Sequence, residues 1–438
     1  MSNWKLKNFK HNIKYPGGYE RSKIPAKVFL TGNNGTGKTT FLNALELALT
    51  GEAHDLGVRA KSKSSIWLRQ LIPFVAGPKG AAVRDDKLYA QVELEREGTT
   101  FRYSWELVPG SKPKHTILCS EENQTPPKIS FIHREVTEAL QGSRLKMLRF
   151  LFKHFGSHDQ PFPYCFQENK TLATQVELQN INGWAERVLF AEEKARAAMN
   201  QHKAVSRSLK TALAQLGGAP PSDKAALASA ITTLTSLQLE RGWSICGVCG
   251  QETDQETLRD RHAKASASIG DVPVSPRISA LKYAAETSDR HAEEASMLAD
   301  FCVGLMERHV AELKDTIERR VSMYSRWGQP EAIQLHITKS AIYFAHIGIS
   351  LPSGAEMVWL TAAIAASIYP KNPFETVQIL ATPDRGFDNQ RIGEMLKAFG
   401  STTSVDLSII QSAIKPRGRL SASWYKIDMN EEGLHDGD

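Results

Sequence analysis

Gly32-Asn33-Asn34-Gly35-Thr36-Gly37-Lys38-Thr39-Thr40 has the residue types and the spacing of a loop that holds phosphate. Glycines let the backbone turn so that successive N–H groups face an anion. Lys38 would reach the β/γ oxygens, and the Thr39 hydroxyl would bind magnesium. The pattern Gly-x4-Gly-Lys-Thr is met without mismatch. Alone it does not choose among kinase, GTPase and ATPase, and a Gly-rich turn with no ligand is the bland alternative.

Two further clusters could do chemistry. Cys246-Gly-Val-Cys249 is half of a tetrahedral zinc site, and a second copy of the chain could supply the other two thiolates. A redox pair or two incidental thiols are the competing readings, although a redox pair usually sits where a strand meets a helix. Ser353-Gly354-Ala355-Glu356 follows Leu351-Pro352 at a helix start. It can present N–H groups and the Ser353 hydroxyl to a phosphate, or serve as an ordinary helix cap.

These residues need elements to position them. Lys27-Val-Phe-Leu30 predicts a short buried strand before the glycine loop, and Phe41, Leu42, Leu45 and Leu49 predict a helix after it. Residues 87–108 predict a β-hairpin: Leu88, Ala90, Val92 and Leu94 alternate with polar residues, and Glu97-Gly98 marks the turn. Residues 131–155 are expected to be helical.

From about Asn182 the texture changes. Val188, Ala191, Ala195, Ala198, His202, Val205, Leu209, Ala212 and Leu216 follow alternating steps of three and four, an alanine-rich heptad seam. It stops at Gly217-Gly-Ala-Pro-Pro221. A second helix is expected from Ser222 to Arg241 and a return helix from Asp254 to before Gly270. A last long helix carries Leu281, Ala285, Ser288, Ala292, Ala295, Ala299, Cys302, Met306 and Leu313, ending near Trp327. Pro221 lies 25 residues before Cys246, and Pro273 lies 24 residues after Cys249. An antiparallel hairpin folded at the cysteines would bring both breaks to one height, as a joint, unless they fall opposite each other by chance. At 1.5 Å per residue and roughly 60 residues a side, it would reach at most about 90 Å. Strand signals return at Ile333–Ile337, Ala341–Ala345, Thr376–Leu380 and Val405–Ile410, with a helix from Glu356 to about Ile368. The expected fold class is α/β, with both ends of the chain forming one head.

The composition, 41% hydrophobic and 23% charged over 438 residues, is that of an ordinary soluble protein, and no apolar run reaches the length of a membrane span. Met1-Ser-Asn-Trp-Lys lacks the apolar core of a signal peptide, so a cytoplasmic protein is expected. The five cysteines, Cys119, Cys165, Cys246, Cys249 and Cys302, fit thiols rather than a disulfide framework. The net charge of +6 permits nucleic-acid binding. Arg59, Lys61, Lys63 and Arg69 are candidate contacts, although for any one of them a solvated charged face is the favoured reading.

The order of phosphate loop, helical arm, CxxC apex, returning arm and Ser-Gly-Ala-Glu resembles the SMC-related ABC ATPases, and within them the zinc-hook, SbcC-like DNA double-strand-break repair branch. Gly32–Gly51 is similar to that family's first helix, Trp243–Gln251 to its hook and Leu351–Ile368 to its signature helix. The resemblance implies an ABC-type head assembled from residues 1–180 and 329–428. It implies a coiled-coil arm of 181–242 and 253–328 and a zinc hook at 243–252; the residues themselves make 429–438 an acidic tail. It implies a homodimer that clamps two ATP molecules with magnesium. Ser353 to Glu356 would complete the partner's site, and Gln167 would serve as the magnesium-contacting glutamine, where a surface glutamine is the alternative. DNA and a separate nuclease or effector are the implied partners, with no membrane.

Departures from the family pattern fall at its catalytic strand. Ala381 and Thr382 occupy the two positions where the family has Asp-Glu. Asp384 stands three residues beyond the expected Asp and becomes, with Lys38, the catalytic candidate; Asp388 fits the loop that follows. Gln411-Ser412 stand where a switch histidine is expected. Slow, absent or unusual hydrolysis follows, and a non-hydrolysing, zinc-bridged scaffold is the alternative function. A small-molecule kinase is a third reading, which leaves the cysteine apex unexplained.

Overall fold

The computed structural model describes residues 4–13, 18–53, 87–108, 112–121, 124–156, 183–217, 274–324, 333–346, 353–370, 372–383, 387–416 and 423–432, with isolated positions 181, 239, 254, 256, 259 and 263. In chain order the first elements are β1 (Lys5–His11), β2 (Tyr19–Ile24), β3 (Lys27–Thr31), α1 (Lys38–Thr50), β4 (Leu88–Arg96), β5 (Thr99–Leu107), β6 (Lys114–Cys119) and β7 (Lys128–Phe131). Four helices follow: α2 (Ile132–Leu140), α3 (Arg144–Phe155), α4 (Trp184–Gly217) and α5 (Val274–Glu312). Then come α6 (Lys314–Ser322), β8 (Ile333–Ile337), β9 (Ile342–His346), α7 (Gly354–Ser367), β10 (Thr376–Thr382), α8 (Asn389–Phe399), β11 (Leu407–Ser412), β12 (Tyr425–Asp428) and α9 (Met429–Glu432).

The chain divides into two compact units, one of Met1–Phe150 with Leu313–Asp438 and the other of Leu151–Glu312. The first holds an all-parallel sheet in the order β12-β3-β11-β10-β7 and an antiparallel sheet in the order β2-β1-β4-β5-β6. The strands at the heart of the parallel sheet, β3, β11 and β10, are buried along nearly their whole length because both faces are covered, and β10 and β11 carry Gln378, Ser408 and Gln411 among their apolar residues. Val28, Leu30, Ile379, Ile409 and Ile427 pack with α1, and α1 packs in turn against Phe9, Val92, Phe101 and Trp105 of the antiparallel sheet. Phe41 meets Phe9 edge-on at 4.9 Å. Enclosed between two sheets, α1 buries Phe41, Ala44, Leu45, Leu47, Ala48 and Leu49, and it buries Asn43 and Glu46 on its polar stripe as well, with Glu46 paired to Arg134.

The β4–β5 hairpin turns at Glu97 (φ 52) and Gly98 (φ 92), two consecutive left-handed residues that match the twist of the strands. The segment expected to be helical over 131–155 forms two helices, separated at Gln141-Gly-Ser143. The expected arm boundary at 328 also moves. The long helix α5 ends at Glu312, and α6 belongs to the first unit instead. There the Glu318 carboxylate accepts from Leu335 N–H at 2.6 Å, and Ser322 Oγ accepts from Ile333 N–H at 3.1 Å. Residues 151–155, expected within the head, group with the second unit.

The second unit is built on α4 and α5 packed antiparallel. His202 faces His291 with ring centroids 5.2 Å apart, Ser206 donates to Asp289 at 2.6 Å, and Lys210 pairs with Asp289 at 2.7 Å. Val205 and Leu209 pack on Ala284 and Ala285.

Candidate functional site

The glycine loop leaves β3 and enters α1 with Gly32, Gly35 and Gly37 at φ 152, 87 and 105. Packing restricts position 32 as well. A Cβ there would lie 2.6 Å from Thr36 Oγ1 and 3.0 Å from the Met429 Cβ. Gly37 caps α1 in the left-handed conformation, no side chain caps it, and no acidic residue occupies the first turn. The partial positive charge of this 13-residue helix is thus met by no carboxylate of that turn. Lys38 is buried; its ammonium donates to Gly32 O and, at 2.9 Å, to Asn33 O. Thr36 Oγ1 donates to Asn33 O at 2.9 Å. Asn33, Asn34, Gly35 and Thr39 are exposed and Thr36 and Thr40 half-buried, so the outer rim of the loop faces solvent. Backbone amides, one ammonium and a hydroxyl on a helix N-terminus form an arrangement that can hold a polyphosphate with a magnesium ion.

Parallel strands deliver the ends of β10, β11 and β12 to the same edge as this loop, where open α/β sheets bind ligands. In register, Thr31 lies beside Ser412 on one flank and Asp428 on the other. β10 ends on buried Ala381 and Thr382. Ala381 N–H donates to His133 Nδ1 at 3.2 Å, and Gln411 Nε2 donates to Thr382 O at 2.9 Å. Burial pushes the pKa of His133 down to about 4, against a backbone hydrogen bond to Ile379 that raises it, so the ring is neutral near pH 7. Amide, imidazole and hydroxyl groups therefore occupy the end of β10, where the family resemblance implies two carboxylates. His133 had no signal in the sequence, because β7, the four-residue strand that sets up its position, is too short to register as a period.

Ser353 is the N-cap of α7 in a reciprocal capping box. Its hydroxyl accepts from Glu356 N–H at 3.3 Å, and the Glu356 carboxylate accepts from Ser353 N–H at 2.6 Å. Gly354 and Ala355 form the first turn behind it. Asp388 is the N-cap of α8, accepting from Gln390 and Arg391 N–H at 3.0 and 2.7 Å. Cys119 and Cys302 are reduced thiols. Gln167, Asp384, Cys246, Cys249 and the basic residues Arg59, Lys61, Lys63 and Arg69 lie outside the described residues. Among the described residues, no three His, Cys, Asp or Glu side chains gather as a metal site, and no helix is long and apolar enough to cross a membrane.

Residues 429–432, expected as the start of the acidic tail, belong to the head instead: Met429 is buried in the core and Met429–Glu432 is helical. Asn430 Oδ1 accepts from Asn33 N–H at 2.9 Å, so a residue just past the last strand touches the phosphate loop. β12 escaped notice because Tyr425-Lys-Ile-Asp428 is an edge strand with little apolar alternation.

Fold and site together define an α/β domain built around a glycine-rich phosphate loop. Residues 26–234 match the family model of the AAA domain, a span that contains β3, the whole loop and α1. No curated protein matches the chain. A solved structure of the recombination mediator protein RecF with ATP, in the RecFOR pathway, aligns over 99% of this chain and 97% of that chain. The identity is 10% and the TM-score 0.36.

Proposed function

We propose that the chain is an ATP- and magnesium-binding ATPase of the SMC-related, SbcC-like kind, acting on DNA as a homodimer in the cytoplasm. The observation that carries this reading is the loop Gly32–Thr40. It is held between a buried parallel strand and an enclosed helix, with Lys38 buried inside it and Thr39 at the helix N-terminus. Lys38 would hold the β/γ oxygens, and the Thr39 hydroxyl would bind magnesium, which neutralises phosphate charge. Gln167 would add a magnesium contact, and Ser353 to Glu356 would close the partner's nucleotide. Cys246 and Cys249 would share one zinc with the same pair from a second copy. The match to an AAA domain supports the nucleotide. The order of motifs supports the class, with a nuclease or effector as partner in DNA repair or anti-phage defence.

A second reading, a scaffold that binds ATP without hydrolysing it, is favoured by one observation. The end of β10 offers Ala381 and Thr382, engaged with His133 and Gln411, in place of a carboxylate that could activate water. Nucleotide would then act by occupancy, shifting the heads between open and closed states.

MgATP binding and turnover by the full chain, with and without DNA, test both. Loss of Lys38 removes a charge-assisted contact, so Lys38→Ala is expected to weaken MgATP binding by about tenfold or more. Unchanged affinity in that variant would remove the nucleotide site. Turnover that disappears in Asp384→Ala identifies that carboxylate as the substitute, whereas tight binding with no turnover selects the scaffold.

A further inference from the structure

The C-terminal end of the parallel sheet reaches the phosphate loop through one hydrogen-bonded chain. Asp428, at the end of β12, is buried and opposite Thr31, the residue before the loop. Its Oδ2 pairs with Lys426 at 2.8 Å and Lys415 at 3.0 Å. Its Oδ1 accepts from Asn430 N–H at 3.3 Å and from Asn430 Nδ2 at 3.1 Å. Because the amide nitrogen of Asn430 is committed to that carboxylate, its Oδ1 is turned the other way, and it accepts from Asn33 N–H at 2.9 Å. Between the two, the Met429 Cβ lies 3.0 Å from where a Gly32 Cβ would be, so the loop's first two residues rest on this segment.

We propose that Asn430 is a positioning residue for the phosphate loop, holding the first amide after Gly32 so that the amides farther along and Lys38 converge on the nucleotide's phosphates. The assignment rests on the proposed function and deepens it. The Asn33 N–H is spent on Asn430 and fixes where the loop begins. Gly35, Thr36 and Gly37 then stand at a set distance from the start of α1, and Lys38 folds across Gly32 O and Asn33 O. Asp428 acts one step further back, fixing which end of the Asn430 amide faces the loop. The two lysines hold it in that role.

The test uses the full chain and the near-isosteric Asn430→Leu, which keeps bulk and removes the acceptor. Three quantities are measured: MgATP affinity by calorimetry, melting temperature without nucleotide, and hydrogen exchange of the peptide containing Asn33. Loss of one ordering hydrogen bond is expected to weaken MgATP about fivefold to tenfold, to speed exchange at Asn33, and to leave the melting temperature nearly unchanged. A purely structural role would lower the melting temperature without singling out the Asn33 amide. Wild-type affinity in Asn430→Leu, or unchanged exchange at Asn33, overturns the assignment. If instead the wild-type protein binds no nucleotide while Asn33 exchange still depends on Asn430, the proposed function fails first and the assignment goes with it.

Discussion

Gly32 and His133 show how much of the site depends on single atoms. At Gly32 the backbone has φ 152, and an added Cβ would meet Thr36 Oγ1 at 2.6 Å. Thr36 would have to rotate and give up its bond to Asn33 O. Gly32→Ala is therefore expected to cost about 1–3 kcal/mol of stability and to weaken nucleotide binding together with it, as thermal melts and calorimetry would show. His133 and His11 make a different prediction. Burial is the largest influence on both and lowers them from 6.5, His133 to about 4 and His11 to about 3. The unfolded chain then takes up these protons first as pH falls. Their contribution is complete above about pH 6.5 and is lost as the pH drops from there toward 4 and below. Melting temperatures between about pH 7.5 and 4.5 should fall, and His133→Asn, which keeps an acceptor for Ala381 N–H, should make the fall shallower. An equal slope in that variant would mean another group titrates. At this scale the sequence disclosed the loop residues, whose types are chemically restricted. It was silent on Asn430 and His133, whose types are ordinary and whose roles come from neighbours distant along the chain.

Elements differ in how openly they declare themselves. β10 was legible from Val377, Ile379 and Leu380 and β11 from Leu407, Ile409 and Ile410, and the hairpin of β4 and β5 because one solvated face forces alternation. β7 and β12, four residues each, sit at the two edges of the parallel sheet and owe their conformation to pairing with β10 and β3. The long helices α4 and α5 were legible from their seam, with Val188, Ala191, Ala195, Val205, Leu209 and Ala212 buried as the spacing requires. Ala198, on the same seam, is only half-buried. So much alanine brings the helices close but buries little area per residue, which concentrates stability in the few larger side chains. Leu209, 1% exposed against Ala284 and Ala285, is one of them. Leu209→Ala is expected to cost about 2–4 kcal/mol and to speed hydrogen exchange through the second half of α4. A loss below about 1 kcal/mol would mean that the alanine seam collapses around the gap.

At the scale of the whole molecule, a unit formed from both ends of the chain surrounds, in sequence, a unit formed from its middle. The order of motifs disclosed that arrangement, because a phosphate loop near residue 38 and strands after residue 333 can share one sheet only if the intervening chain leaves and returns. Where the units divide was not legible: a helical period continues through Leu313, and only the packing of α6 on β8 and α7 marks the change. The proposed dimer would have two contacts of different chemistry, nucleotide between heads and zinc between Cys246-x-x-Cys249 pairs. Four thiolates around one ion form a closed structural site that needs no turnover to persist. If ATP is hydrolysed poorly or not at all, zinc becomes the contact that survives removal of nucleotide. Light scattering of the purified chain should show a dimer without ATP that carries about one zinc per two chains. A thiol-competing chelator, or Cys246→Ser with Cys249→Ser, should convert it to monomer, and MgATP should then restore pairing in the serine variant but not in one that also carries Lys38→Ala. A nucleotide-free dimer that persists in the serine variant would place the contact elsewhere, and one zinc per chain would make the site internal to each copy.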